Sequence, residues 1–214
     1  KLRVEIGDMD LAQVITEVQT RIDVVVQRKQ LQFSALMPPV LPPMNGDPHR
    51  IAQVIQNLCT NAVQYTKEGG RIAIEATLQP GWVTVGVRDT GIGISKEDLP
   101  RVWERFFQTK EAQTMRKAGF GLGLKIAREI VQMHGGDMGI ESQLGVGSFF
   151  FFKLPVPKLD LSAFPGYLSP SVQRHTAVSW QASEPDEAEL DARPSAAARL
   201  SYCTAAEEGA VDIP

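Results

Sequence analysis

Residues 83–95 read VTVGVRDTGIGIS, and the fold is decided on this stretch. Val83, Val85 and Val87 alternate, so they share one face of a strand. Asp89 continues that face, which aims its carboxylate where the valines are buried. A carboxylate there is costly unless it has a partner. A ligand N–H is one such partner, with the 6-amino group of adenine the obvious candidate; an Asp capping its own turn is the alternative. Gly91 and Gly93 let the backbone pass close to a planar base and take positive φ.

Outward from this strand the pattern alternates between strands and helices. Ile72, Ile74, Ala76 and Leu78 share a face of a preceding strand, and Gln79-Pro80-Gly81 between the two predicts a hairpin. Upstream, Asp47 caps a helix that has Pro48 at its first position and runs to about Thr66. A strand within LQFSALMP (31–38) precedes it. An earlier helix carries Leu11, Val14, Ile15, Val18, Ile22 and Val25 at helical spacing, with Asp10 as N-cap and Gln13 three residues on. Downstream, a glycine-rich and charged stretch leads to a helix from Lys125 to about His134, stopped by Gly135-Gly136. Two strands around 137–143 and 148–154 complete the pattern. The expectation is α+β: a two-layer sandwich whose mixed, mainly antiparallel sheet has one face covered by about three helices.

The chain's 214 residues, 43% apolar and 22% charged, are enough for one domain with a real core plus an extra segment. A net charge of −3 gives no footprint for nucleic acid or an acidic membrane. No apolar run approaches the roughly 18–20 residues of a membrane span. Opening on Lys1, the sequence reads as a piece of something longer. Cys59 and Cys203 lack metal-ligand spacing, and Cys59 reads as a small apolar helix residue. Residues 157–214 are rich in Pro, Ala, Ser and acids, a composition that predicts a disordered tail after a domain of residues 1–156.

Two further patterns carry chemistry. In NLCTNAVQYT (57–66), Asn57, Asn61 and Gln64 fall on one stripe beside the apolar stripe of Ile51, Val54, Ile55, Leu58 and Ala62. Carboxamides at the edge of a buried face either coordinate a hard cation through oxygen, without repelling phosphate, or are boundary polar residues. In GFGLGLKIAREI (119–130), Gly119, Gly121 and Gly123 precede a helix, so free N–H groups and the positive helix end can face an anion. The spacing is not the dinucleotide fingerprint, and the Gly-Lys-Ser/Thr of a P-loop is absent. Gly145 and Gly147 read as a tight structural turn.

The order of NLCTNAVQYT, DTGIGI, WERFF, GFGLGL and GVGSFF resembles the N, G1, F, G2 and last glycine boxes of the catalytic domain of sensor histidine kinases. That family lies within the gyrase–chaperone–kinase ATPase superfamily, and the likeness covers about residues 5–156. It implies a Bergerat-type ATP-binding fold with ATP and Mg²⁺ as cofactors. By position, Asn61 resembles the Mg²⁺ ligand, with Asn57 helping to hold metal and phosphates. Tyr65 resembles the residue beside base or ribose, and Asp89 the adenine reader, assisted by Gly91 and Gly93. Gly119, Gly121, Leu122 and Gly123 resemble the phosphate-facing hinge of an ATP lid at 94–120, which Phe106 and Phe107 would pack. The implied partners are a dimerisation domain carrying the phosphoacceptor histidine, expected before Lys1, and the receiver domain of a response regulator. Cytoplasmic placement is implied too, with no nucleic acid and no direct membrane contact.

Gln64 stands where the family usually has Lys or Arg, leaving Lys67, Lys110, Arg116 or Lys117 as substitutes. Phe120 replaces a common Thr or Ser. ATP-hydrolysing members of the superfamily place a glutamate at the position of Asn57 to activate water. An amide there is a poor base, so phosphoryl transfer is expected over hydrolysis; a silent nucleotide-binding module is the third alternative.

Overall fold

The computed structural model describes residues 2–109, 112–113 and 122–156. The expected tail and most of the expected lid, including Gly119 and Gly121, lie outside the described residues. The elements are β1 (Gly7–Met9), α1 (Leu11–Arg28), β2 (Gln32–Leu36), β3 (Met44–Gly46), α2 (Pro48–Tyr65), β4 (Arg71–Gln79), β5 (Trp82–Asp89), a 3-10 turn (Leu99–Arg101), α3 (Gly123–Met133), β6 (Asp137–Gln143) and β7 (Gly147–Pro155).

Five strands form the main sheet in the order β2-β4-β5-β7-β6, antiparallel except for the β2–β4 pair. The predicted hairpin pairs Ile74 with Val87 and Ala76 with Val85, so both alternating stripes point to the same side. α1, α2 and α3 cover that side, which makes the expected two-layer α+β sandwich. Between the layers lie Ile15, Ile51, Ile55, Leu58, Ile72, Ile74, Ile130 and Phe152, all at most 1% exposed. The other face carries a bidentate pair, Arg88 Nε to Glu75 Oε1 at 2.7 Å and Nη2 to Oε2 at 3.2 Å. The Arg88 guanidinium also lies 4.0 Å over the Phe149 ring, which stacks on Phe151.

Local signals explain the helix ends. Asp47 accepts from the N–H groups of His49 and Arg50 with Pro48 at the first position, as the sequence predicts. Asp10 accepts from Gln13 N–H at 3.0 Å, but the Gln13 side chain turns to Glu17, so only half of a capping box forms. α3 begins two residues earlier than periodicity suggests, and Gly135 ends it at a φ of 73°.

Two features depart from the sequence reading. β1 and β3 pair as a separate antiparallel ribbon, three residues each and too short for a period to declare itself. In α1 the buried stripe ends on Val26, 2% exposed, and not Val25, 47% exposed: the two lie on opposite edges of a wide apolar stripe, and the layer α1 packs against covers the Val26 edge. No helix among the described residues is long and apolar enough to cross a membrane. Ile15→Ala should therefore cost about 2–5 kcal/mol in urea unfolding, whereas Val25→Ala should change stability by less than about 0.5 kcal/mol.

Candidate functional site

α2 is the element from which the site is built. Its apolar face packs on the sheet, and Asn57, Asn61, Gln64 and Tyr65 ride along the edge of that face, each half-buried. The end of the helix is fixed from outside its own sequence. Lys29 Nζ donates to the carbonyls of Val63, Gln64 and Thr66, a cation on the carbonyl-rich terminus. Sequence reasoning missed Lys29, since nothing local marks a residue that caps another helix.

Asp89 closes β5 with its side chain on the helix-covered face, 8% exposed. One oxygen accepts from Gly91 N–H at 2.8 Å, so the carboxylate does cap its own turn. Burial pushes its carboxyl up to about 6, opposed by the Gly91 and Ser148 backbone and by Arg88. Of the two readings of Asp89, the structure shows the residue capping its own turn, while the carboxylate remains a costly buried charge. Tyr65 links α2 to that loop, its carbonyl accepting from Ile92 N–H at 3.3 Å. Burial raises the Tyr65 phenol, whose oxygen accepts from Gln64 Nε2 at 3.4 Å.

The two glycine loops lock together. Gly93 has a φ of 65°, and a Cβ there would sit 1.9 Å from the Gln143 carbonyl oxygen. A Cβ on Gly147 would sit 2.0 Å from the Asp89 carbonyl oxygen. Gly145 N–H donates to Ile92 O at 2.7 Å, and Ile94 N–H donates to Ser142 Oγ at 2.9 Å. The late glycines are structural, as expected, but what they shape is the loop that presents Asp89. That pairing links residues about 50 positions apart, and no sequence spacing reveals it.

Asn57 Nδ2 donates to the carbonyl of Gly123, the first residue of α3, at 3.3 Å. This ties the amide stripe to the end of the expected phosphate hinge, and Asn57 Oδ1 accepts no hydrogen bond from another described residue. Leu122 and Gly123 are half-buried beside it. Asn61 makes no hydrogen bond to another described residue. Thus Asn57, Asn61, Tyr65, Asp89, Gly91, Gly93 and Gly123 converge on α2 and its flanking loops. A groove along the N-terminal halves of α1 and α2, lined by residues such as Asp8, Glu17 and His49, contains none of them.

Of the two expected lid aromatics, Phe107 is half-buried, with the Arg101 guanidinium 4.4 Å from its ring centre, whereas Phe106 is 69% exposed; most of the lid they would pack lies outside the described residues. The φ of 62° at Phe106 reverses the chain and turns the ring outward.

For Mg²⁺, the donor chemistry fits. Among the described residues there is no cluster of three His, Cys, Asp or Glu. Neutral amide oxygens from Asn57 and Asn61 suit a cation that keeps several waters and takes other ligands from phosphate.

The family model described as histidine kinase-, DNA gyrase B-, and HSP90-like ATPase matches residues 46–158. Sensor histidine kinase RcsC of Escherichia coli (strain K12) is 32% identical over 157 residues, 73% of this chain and 16% of RcsC. Adaptive-response sensory kinase SasA of Synechococcus sp. (strain JA-3-3Ab) is 38% identical over 160 residues, 74% of this chain and 42% of SasA. The chain thus spans less than half the length of these relatives. Among solved structures, the catalytic domain of histidine kinase ThkA aligns with a TM-score of 0.62 and 30% identity, covering 71% of this chain and 98% of that one. Full-length ShkA in complex with AMPPNP aligns at 0.65 and 27%, covering 74% and 32%. ThkA in complex with response regulator protein TrrA aligns at 0.61 and 27%, covering 72% and 43%. With a family match over more than half its length and the fold to go with it, the chain belongs to the histidine kinase-, DNA gyrase B-, and HSP90-like ATPases.

Proposed function

We propose that this chain binds Mg·ATP along the polar edge of α2 and supplies the γ-phosphoryl group to a histidine on a separate dimerisation domain, within two-component signalling. The observation that carries the nucleotide reading is Asp89, a buried carboxylate held on the sheet beside a loop that only glycine can form. Its carboxylate accepts the adenine amino group, with Tyr65 beside the base. Asn57 and Asn61 hold Mg²⁺ and phosphate oxygens, and the glycine hinge at 119–123 faces the phosphates within a lid at 94–120. When bound, Mg²⁺ offsets the charge on the transferring group; the residues named here bind and orient. The AMPPNP complex of ShkA supports this reading.

Transfer to histidine is favoured over hydrolysis because Asn57 is an amide, and its nitrogen is already donating to Gly123. The chain's own histidines are poor acceptors. His49 is exposed and followed by Arg50, and His175 lies outside the described residues. His134 is buried with both ring nitrogens engaged. The kinase titles of its relatives and the ThkA–TrrA complex support a response regulator as downstream partner. The cytoplasm, where ATP is available, is the compartment that fits. Residues 157–214 are a tail dispensable for folding and nucleotide binding.

Incubation with γ-labelled ATP should leave the chain unlabelled, and adding a dimerisation domain from the same parent should give acid-labile label on that domain alone. Rapid phosphate release without an acceptor would favour the hydrolase. Asn61→Ala should weaken Mg·ATP binding about ten- to a hundredfold in calorimetry while shifting stability by less than about 1 kcal/mol.

Asp89 gives two coupled expectations. ATP should bind about ten- to a hundredfold more tightly than GTP, whose carbonyl would face the carboxylate. Because the folded state holds the Asp89 proton more tightly than the unfolded chain, its contribution to stability falls as pH rises from about 4 to about 6. Its ionised form then costs the ligand-free fold on the order of 3 kcal/mol at neutral pH. Asp89→Asn should accordingly raise stability at pH 7 but not at pH 4, while weakening ATP binding. A variant that is no more stable at pH 7, or one that binds ATP normally, would remove Asp89 from this role.

A further inference from the structure

α2 and α3 are joined at two points, and only one of them lies in the nucleotide site. At the near point Asn57 Nδ2 donates to Gly123 O. At the far point His134, the residue that ends α3, accepts from the buried Asp47 N–H at 2.9 Å through Nε2. His134 Nδ1 lies 2.7 Å from Ile130 O and donates to it, so the ring is the neutral Nδ1–H tautomer. Asp47 is itself the N-cap of α2 and also accepts from Glu5 N–H.

The two spans match. Asp47 to Asn57 is ten residues along α2, and Gly123 to His134 is eleven along α3, or about 15 and about 16 Å of helix. The helices are therefore antiparallel rails with a hydrogen bond at each end, filled between by Ala127, Ile130 and Val131, all buried. Apolar packing resists separation of the rails but is non-directional and resists pivoting less. A pivot of a few degrees over about 15 Å moves the start of α3 by about 1 Å, the scale at which positioning is lost.

The geometry points to His134 as a positioning residue of the nucleotide site: by pinning the end of α3 to the N-cap of α2, it sets where Gly123 meets Asn57 and how the Asn57 amide is turned. This rests on the reading of that site as the place where phosphates bind. The sequence alone offers His134 only as a polar helix end, because its partner lies 87 positions away.

Two substitutions separate the bonds of the ring. In His134→Asn the short amide reaches Ile130 O but not Asp47 N–H. In His134→Gln the longer side chain still presents an oxygen to Asp47 N–H. The full chain is first checked for folding by urea titration, and the Asn57 side-chain amide resonances are then recorded without nucleotide. His134→Asn should shift or broaden them and weaken Mg·AMPPNP binding by about tenfold or more; His134→Gln should leave both within about threefold of the parent chain. If the two variants lose stability alike and leave the Asn57 resonances unmoved, His134 is a structural tie only. Those resonances are read without ligand, so failure of the parent chain to bind Mg·AMPPNP would count against the nucleotide reading and not against the tie. Ring ¹⁵N shifts of the parent chain add a check without any variant, since an Nε2–H tautomer would overturn the inference.

Discussion

The packing of α2 on the central strands is the interaction on which the rest of the structure depends. Ile51, Val54, Ile55 and Leu58 are at most 1% exposed, and each fully buried aliphatic side chain of this size contributes about 1.5–3 kcal/mol. That burial fixes the rotation of the helix about its axis. With the rotation fixed, the edge carrying Asn57, Asn61, Gln64 and Tyr65 can face only one way, beside the end of β5. The polar stripe is thus positioned by its apolar neighbour, at the edge of the helix layer and not within the core. Asp47 and Pro48 start the helix in register and Lys29 holds its last carbonyls, so both ends are restrained as well.

Around this helix, function is placed on backbone that cannot relax. Gly93 and Gly147 are each backed by a carbonyl that a Cβ would overlap. Bonds from Gly145 to Ile92 and from Ile94 to Ser142 then make the two loops one unit. The unit holds Asp89 on an apolar face, where desolvation raises its carboxyl to about 6. A neutral side chain would suit the ligand-free fold better, which is why Asp89 is the residue on which the proposed nucleotide reading turns.

The helix-free face of the sheet uses different physics. Arg88 is held by Glu75 and lies over Phe149, which stacks on Phe151. Phe149 and Phe151 also cover Gly86 and Gly139, whose missing side chains make room for the rings. Directional contacts among large flat side chains pack that face, which no helix among the described residues covers.

The sequence by itself determined the three helices and the five strands of the main sheet, their order, and the residues from which the candidate site is argued. Its period-2 and period-3.6 stripes arise from short-range geometry, and so do the caps at Asp10 and Asp47. The α2 amides and Asp89 are legible for the same reason: each sits at a definite phase relative to an apolar stripe. Tertiary structure alone decided what those phases could not carry. The β1–β3 ribbon is too short to show a period, and Val26 replaced Val25 because the sheet, not α1, chooses which edge of a wide stripe is buried. Phe106 turned outward through a backbone angle that its residue type disfavours. Lys29 on α2, the interlocked glycine loops, and the bonds from Asn57 to Gly123 and from Asp47 to His134 all join residues more than 30 positions apart. Such contacts follow from how the layers dock, since a local pattern records only which face of an element is apolar and not which element will meet it.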